Sequence, residues 1–470
     1  VSVSGVVSIP SSAGSSTVFT VTGTRTLAYA QLLQNYLDTA LNNNTLNLVT
    51  GQANQGTITF AAPIVGLVNE AVVSPDQNSN FGVGDTVVLS DGYQALYDNV
   101  NGATTVIGAT TGVNAIFEGT SGNAATFIDN GGNNTVTFVN GDNQYIGDTT
   151  SSAGNDIIVT GAGRDTVNTG YGLSTVDSGT GNAIINLNDT APAAAGTFNA
   201  FVYLDDGQNT VNANGIQDQV VATAPGQVID GGNQAADFTS VVLLPGGSGY
   251  ADGNDIVNGN AGTVAVFDQS GNNSIFAGAG QLEFIGGANV AASIVGGTGP
   301  LYIFGGSGDT IAVATLANGG TTDIVAGTGN ETLNAGYALT GVNFYADNTA
   351  DSTAAAGIST LMTGSIGNDT FVSGAGSETM YGGAGQNTFL IDATTDGVGG
   401  TITLADFGAG SDNLVGFLGY TQSEIQTALD GATTVIGSMG EVDTVITLSD
   451  KTTVTFVGVS SLSGHIFGGS

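Results

Sequence analysis

Residues 153–185 read AGNDIIVTG AGRDTVNTG YGLSTVDSG TGNAII, and their spacing decides the fold. Gly154, Gly163, Gly172 and Gly181 stand nine apart, and four residues after each comes an apolar side chain: Ile158, Val167, Val176 and Ile185. A helix would repeat its apolar residues at three and four, and a lone hairpin has no nine-residue period. The pattern predicts a coil. The chain turns at a glycine free to take positive φ, runs a short strand and turns again, stacking parallel strands over one shared apolar column.

The rhythm extends in both directions. It starts loosely at Gly102, Gly112, Gly122, Gly132 and Gly141, and breaks after Asp189 at APAAAGTFNA. It resumes at Gly253, Gly262, Gly271 and Gly280, with Val257, Val266, Ile275 and Phe284 in the apolar place. A last strict run, GNDTFVSGAGSETMYGGAGQNTFLI, puts Phe371, Met380 and Phe389 four after Gly367, Gly376 and Gly385. Slips of phase between these runs predict loops that project from the coil.

The expected fold is all-β: a parallel β-roll or β-helix solenoid over residues 101–395, with a small helix-containing N-terminal cap (1–100) and a β C-terminal cap (396–470). In the first segment Thr17–Val21 reads as a strand. Residues 26–41, TLAYAQLLQNYLDTAL, read as an amphipathic helix with Leu27, Leu32, Leu33, Tyr36, Leu37 and Leu41 on its apolar side. Closing the open end of a solenoid is one task for such a helix, and docking onto a surface or a second subunit is the other. In the last segment VITL and TVTF flank Ser449, Asp450 and Lys451 and predict a hairpin.

The runs GNDIIVTG and GAGRDTVNTG, and their return at 367–391, resemble the G-G-x-G-x-D-x-U-x nonapeptide of RTX proteins. The order D-F-x-x-G-x-D (406–412) followed by the terminal hairpin is similar to the cap and secretion region behind RTX arrays. The resemblance implies two nonapeptides per coil, calcium held between stacked turns, and export through a one-step channel that reads an uncleaved C-terminal signal. It implies as metal ligands Asp156, Asp165, Asp255 and Asp369, with Glu378 as a longer variant. Asp309, which sits one residue early, and Asp323, which lacks the preceding glycine, match less well; Asp406 and Asp412 join from the cap. Two-nonapeptide coils would stack Asp156 on Ser174, Asp165 on Ala183 and Asp369 on Asn387. That supplies isolated ions rather than a continuous ladder.

Composition bounds the partners. Only Arg25, Arg164 and Lys451 are basic against 39 acids, a formal charge of -36, so phosphate backbones and anionic membranes are repelled and cations are attracted. Glycine, at 76 residues, is about twice ordinary usage, yet 41% of the chain is hydrophobic, which argues for a folded polymer rather than a disordered one. The absence of cysteine removes disulfides and thiolate metal sites. No basic segment followed by an apolar run and a cleavage site opens the chain, no stretch is long enough to span a bilayer, and a first residue other than Met reads as processing already completed.

Catalytic sets are missing from the sequence. The sole histidine, His465, lies in HIFGGS without a paired nucleophile, which argues against His-dependent hydrolases and two-histidine zinc peptidases. The leading expectation is a secreted bacterial structural protein, not an enzyme, that binds calcium and assembles as a homo-oligomer or homopolymer into a surface layer, matrix or filament. The rivals are an adhesin that uses an outer row of Thr or Asn on a cell-surface polysaccharide or on ice, and a polysaccharide lyase or epimerase centred on Arg164 beside Asp165.

Overall fold

The computed structural model describes residues 3–12, 14–52, 56–58, 60–74, 85–99, 103–118, 124–150, 154–188, 198–245, 254–269, 271–288, 290–307, 309–346, 359–393, 399–409 and 413–467. Among the described residues the chain is an all-β parallel solenoid of about 14 turns with two α-helices. It divides into two compact units, Val1–Asp255 and Ile256–Ser470.

In the first unit each coil lays one strand in each of two parallel sheets. Sheet I starts at Leu46–Gln52 and runs through Val68–Ser74, Ala95–Asp98, Asn114–Phe117, Thr135–Phe138, Asp156–Val159, Ser174–Asp177 and Ala200–Leu204. Sheet II runs through Asp85–Val88, Thr104–Ile107, Ala125–Ile128, Gln144–Ile146, Thr166–Asn168, Ile184–Leu187 and Thr210–Ala213. The quoted stretch follows the predicted register: Asp156 pairs with Ser174 and Ile158 with Val176 in sheet I, and Val167 with Ile185 in sheet II. All four of these apolar side chains are fully buried. Each contributes about 1.5–3 kcal/mol by leaving water, and the coils repeat that gain.

The corner glycines are demanded more by close approach than by positive φ. Gly163 and Gly172 do take φ of 145° and 131°, but Gly154 and Gly181 have ordinary dihedrals. A Cβ on Gly181 would stand 2.1 Å from the carbonyl oxygen of Gly163, and one on Gly163 1.8 Å from that of Gly141. The corners are thus a column of backbones in contact, where no side chain fits.

A hairpin, Ser4–Ser12 with Ser15–Thr22, and helix α1 (Thr24–Asn42) precede the coils. Together they form an arm over the outer face of sheet I, where Val7, Ile9, Leu27, Leu33 and Leu37 bury Tyr97 and Ile116. The helix forms as expected, one or two residues longer at each end. Its buried side is Leu27, Ala30, Leu33, Leu37 and Ala40, whereas Leu32, Tyr36 and Leu41 are exposed. The small alanines let the helix sit close on the hairpin and sheet, which turns the larger residues outward.

In the second unit sheet III starts at Ile256–Asn258 and sheet IV at Thr263–Asp268. The inward column of sheet IV carries Phe344, Phe371 and Phe389, stacked with ring centroids 4.8 and 5.0 Å apart. After Thr401–Leu404 and Leu414–Leu418 come helix α2 (Gln422–Asp430) and the expected hairpin, Val442–Thr447 against Thr453–Phe456. Lys451 takes φ 76° at its tip. A further strand, Thr433–Ile436, pairs antiparallel with Val442–Thr447.

Candidate functional site

Asp156, Asp165, Asp255, Asp309 and Asp369 point into the coil, because they lie two residues before an inward apolar position and so share its face. There they close the corners. Asp156 Oδ1 accepts the backbone N–H of Asn134 at 2.8 Å and its side-chain amide at 3.1 Å. Asp165 does the same for Asn143, at 2.8 and 2.9 Å, and Asn143 in turn accepts the N–H of Ala125 at 3.0 Å. Asp255 accepts from Gln227, Asp309 from Val290 and Gly306, and Asp369 from Val342 and Ser365. The result is a ladder in which one coil's side chain satisfies the next coil's otherwise unpaired N–H. Burial pushes the carboxyls of Asp156 and Asp165 up to about 6, and raises those of Asp255, Asp309 and Asp369.

The remaining expected residues scatter. Glu378 is buried and accepts the N–H of Gly376 at 3.0 Å. Asp406 accepts from Gly382 and Gly383 at 2.7 and 2.8 Å. Asp323 faces outward, half-buried, and accepts the amide of Asn343 at 2.7 Å. Asp412 lies outside the described residues. Glu331 is a buried acid that the repeat pattern also marks, through GNET in place of GNDT. Its Oε1 accepts the N–H of Gly327 at 2.8 Å, and burial together with Asp309 pushes its carboxyl up to about 7.

Calcium asks for several oxygen ligands converging on one point. These carboxylates are met instead by N–H donors, and Asp156, Asp165 and Asp369 stack on Ser174, Ala183 and Asn387, as two-nonapeptide coils require. Among the described residues no group of three or more His, Asp or Glu side chains gathers at one point. The corner carboxylates thus serve here as acceptors for the N–H groups of neighbouring coils. Arg164 and Asp165 also diverge: the guanidinium is exposed and pairs with Asp142 at 3.1 Å, while the Asp165 carboxylate is buried in the coil. His465 packs its ring against Phe407 and bonds the carbonyl of Asn413 at 2.9 Å.

Three outer features remain. On sheet II, Thr86, Thr105 and Thr126 stack in register, and on later coils of the same sheet Asn168, Asn186 and Asn212 form an amide ladder with bonds of 2.8 and 2.6 Å. On sheet IV an apolar column, half-buried to exposed, runs in register from Phe267 to Leu390. At the C-terminal hairpin all four residues of Thr433–Ile436 are exposed, Ile436 at 79%, and Met439 beyond them at 91%. Fold and surfaces together define a parallel β-solenoid protein with repetitive outer faces. No protein-family model matches the chain, and no curated protein matches it. No described helix is long and apolar enough to cross a membrane.

Proposed function

We propose that the chain is a secreted, non-catalytic structural solenoid that assembles with copies of itself at a bacterial surface or in an extracellular matrix. The carrying observation is the strand Thr433–Ile436. Among the described residues it pairs only with Val442–Thr447, so its other edge offers unpaired N–H and C=O groups, with no charged side chain to discourage a partner strand. Proteins that remain monomeric usually blunt such an edge with Lys, Pro or a covering loop. Divalent cations such as calcium enter this reading as counter-ions that relieve repulsion between chains of charge -36, not as ions caged in the corners. Extracellular export rests on the RTX-like repeats and on the order of the C-terminal cap.

Light scattering and electron microscopy of the full chain, with calcium and with chelator, test this. Oligomers or filaments that disperse in Ile436→Lys support it. A strictly monomeric particle at high concentration in both conditions overturns it.

A further inference from the structure

From Phe267 to Val372 the outward column of sheet IV alternates in kind, and Leu390 on the next coil ends the alternation. Its successive residues are Phe267, Ile285, Phe304, Val325, Tyr345 and Val372, each in register with the next. An aromatic ring thus stands on every second coil, with a branched aliphatic residue between. Coils stack at the spacing of parallel strands, so the rings recur at about 9.5 Å in a straight row. Phe267 and Tyr345 are 39% and 38% exposed, and Phe304 is half-buried.

Beside this row, one pleat along each strand, lies a polar row: Glu283, Tyr302, Asp323, Asn343 and Thr370, also in register. Asn343 donates to Asp323, which fixes both side chains in place. The surface is therefore a track with aromatic and aliphatic side chains in one row and hydroxyl, amide and carboxylate groups in the other.

We propose that this track binds an extended β-1,4-linked polysaccharide, of the cellulose or chitin kind, laid along the stacking direction of the coils. In such a chain successive pyranose rings are flipped, so every second sugar presents the same C–H face, and that face packs on the negative face of an aromatic ring. A ring on every second coil matches every second sugar, and the aliphatic residues between lie under the inverted ones. The polar row supplies acceptors and donors to the equatorial hydroxyls. A second copy of this chain is the other candidate for an apolar track, but contact between two copies asks for no regular period, whereas a ring on every second coil beside a row of hydroxyl, amide and carboxylate groups is what a repeating sugar chain requires. The inference goes beyond the assembly reading and uses different residues from the Thr433–Ile436 edge.

The test is co-sedimentation of the full chain with microcrystalline cellulose and, separately, with chitin, using granular starch as the control whose α-1,4 linkage curls the chain. Binding to at least one β-1,4 polymer and not to starch is expected. Tyr345→Ala should weaken it roughly tenfold, and Phe304→Ala with Tyr345→Ala roughly a hundredfold, with circular dichroism unchanged. Val325→Ala should alter it less than either. Ile436→Lys should leave it intact, which separates this inference from the assembly reading. Failure to bind either polymer overturns the proposal, as does binding indifferent to the aromatic variants. A shift of oligomeric state in Phe304→Ala/Tyr345→Ala without loss of sugar binding would also overturn it and assign the track to a second copy.

Discussion

The carboxylate of Asp165 receives both the backbone N–H and the side-chain amide of Asn143, which lies 22 residues earlier in the chain and one coil away. Asn143 performs the same service for Ala125 with a neutral oxygen. An amide therefore suffices geometrically, while the carboxylate adds the cost of a buried charge. Asp165→Asn is expected to leave stability unchanged or raise it at neutral pH. Asp165→Ala strands a buried N–H and should lose about 1–3 kcal/mol. Urea denaturation of the two variants distinguishes the cases: equal losses in both would mean that the negative charge itself is needed.

Gly181→Ala is expected to be severely destabilising, by several kcal/mol. Its Cβ would meet the Gly163 carbonyl oxygen at 2.1 Å, and that backbone is held by hydrogen bonds to neighbouring coils, so it has nowhere to move. Gly14→Ala is the control. Gly14 has φ 78° but nothing within 4 Å, so only the left-handed backbone penalises a side chain, by about 1–2 kcal/mol. Thermal melts in which the two variants fall together would show that dihedral freedom, rather than contact between coils, selects the corner glycines.

The inward half of the structure was legible in the chain because one strict period ties together corner, strand and apolar column. Ile158, Val167, Phe371 and Phe389 stand where that period puts them. The outward half was not. Along the outward column from Phe267 to Val372 successive coils are separated by 18, 19, 21, 20 and 27 residues, according to the loop between them, so residues that stack in space share no fixed spacing in sequence. The aromatic row of Phe267, Phe304 and Tyr345 and the Thr86–Thr105–Thr126 row are hidden for that reason. The inward turn of Asp156 and Asp165 follows from the two-residue alternation of a strand, which a search for turn ligands overlooks. Helix α2 carried a readable signal, the capping box of Thr421 and Glu424 in TQSE, but a flanking run of β-prone residues obscured it.

Arg25 fastens the arm to the coil. Its Nε lies 3.6 Å from Asp177 Oδ2, and its guanidinium carbon sits 3.6 Å from the centre of the Tyr203 ring. Asp177 is buried beneath it, and burial holds its carboxyl up at about 6 even with the cation nearby. Arg25→Ala removes the partner and the ring contact, but Arg25 is about a third exposed and Asp177 can take up a proton, so a loss on the order of 1–2 kcal/mol at neutral pH is expected. Arg25→Ala with Asp177→Asn should recover most of it. Hydrogen exchange in α1 reads the effect locally: protection that survives Arg25→Ala would show that apolar packing alone holds the arm.

Glu70 gives the arm a dependence on pH. It lies on the same face of its strand as Val72, which packs against the arm; it is fully buried, and neither carboxylate oxygen has a hydrogen-bond partner. Desolvation pushes its carboxyl from the ordinary 4.5 up to about 8. The folded protein therefore holds this proton over a range in which the unfolded chain has released it, so stability is fully present below about pH 4.5 and falls as pH rises to about 8. The full excursion is on the order of 5 kcal/mol as an upper bound, since a shifted arm can admit water. Asp218, raised to about 7 by burial, acts in the same direction over a narrower window. Urea midpoints measured from about pH 5 to about pH 9 should decline in the native sequence and decline less in Glu70→Gln, which keeps the shape without the charge. A wild-type profile that is flat or rises across that range would show that Glu70 is hydrated, and the arm lifted, throughout.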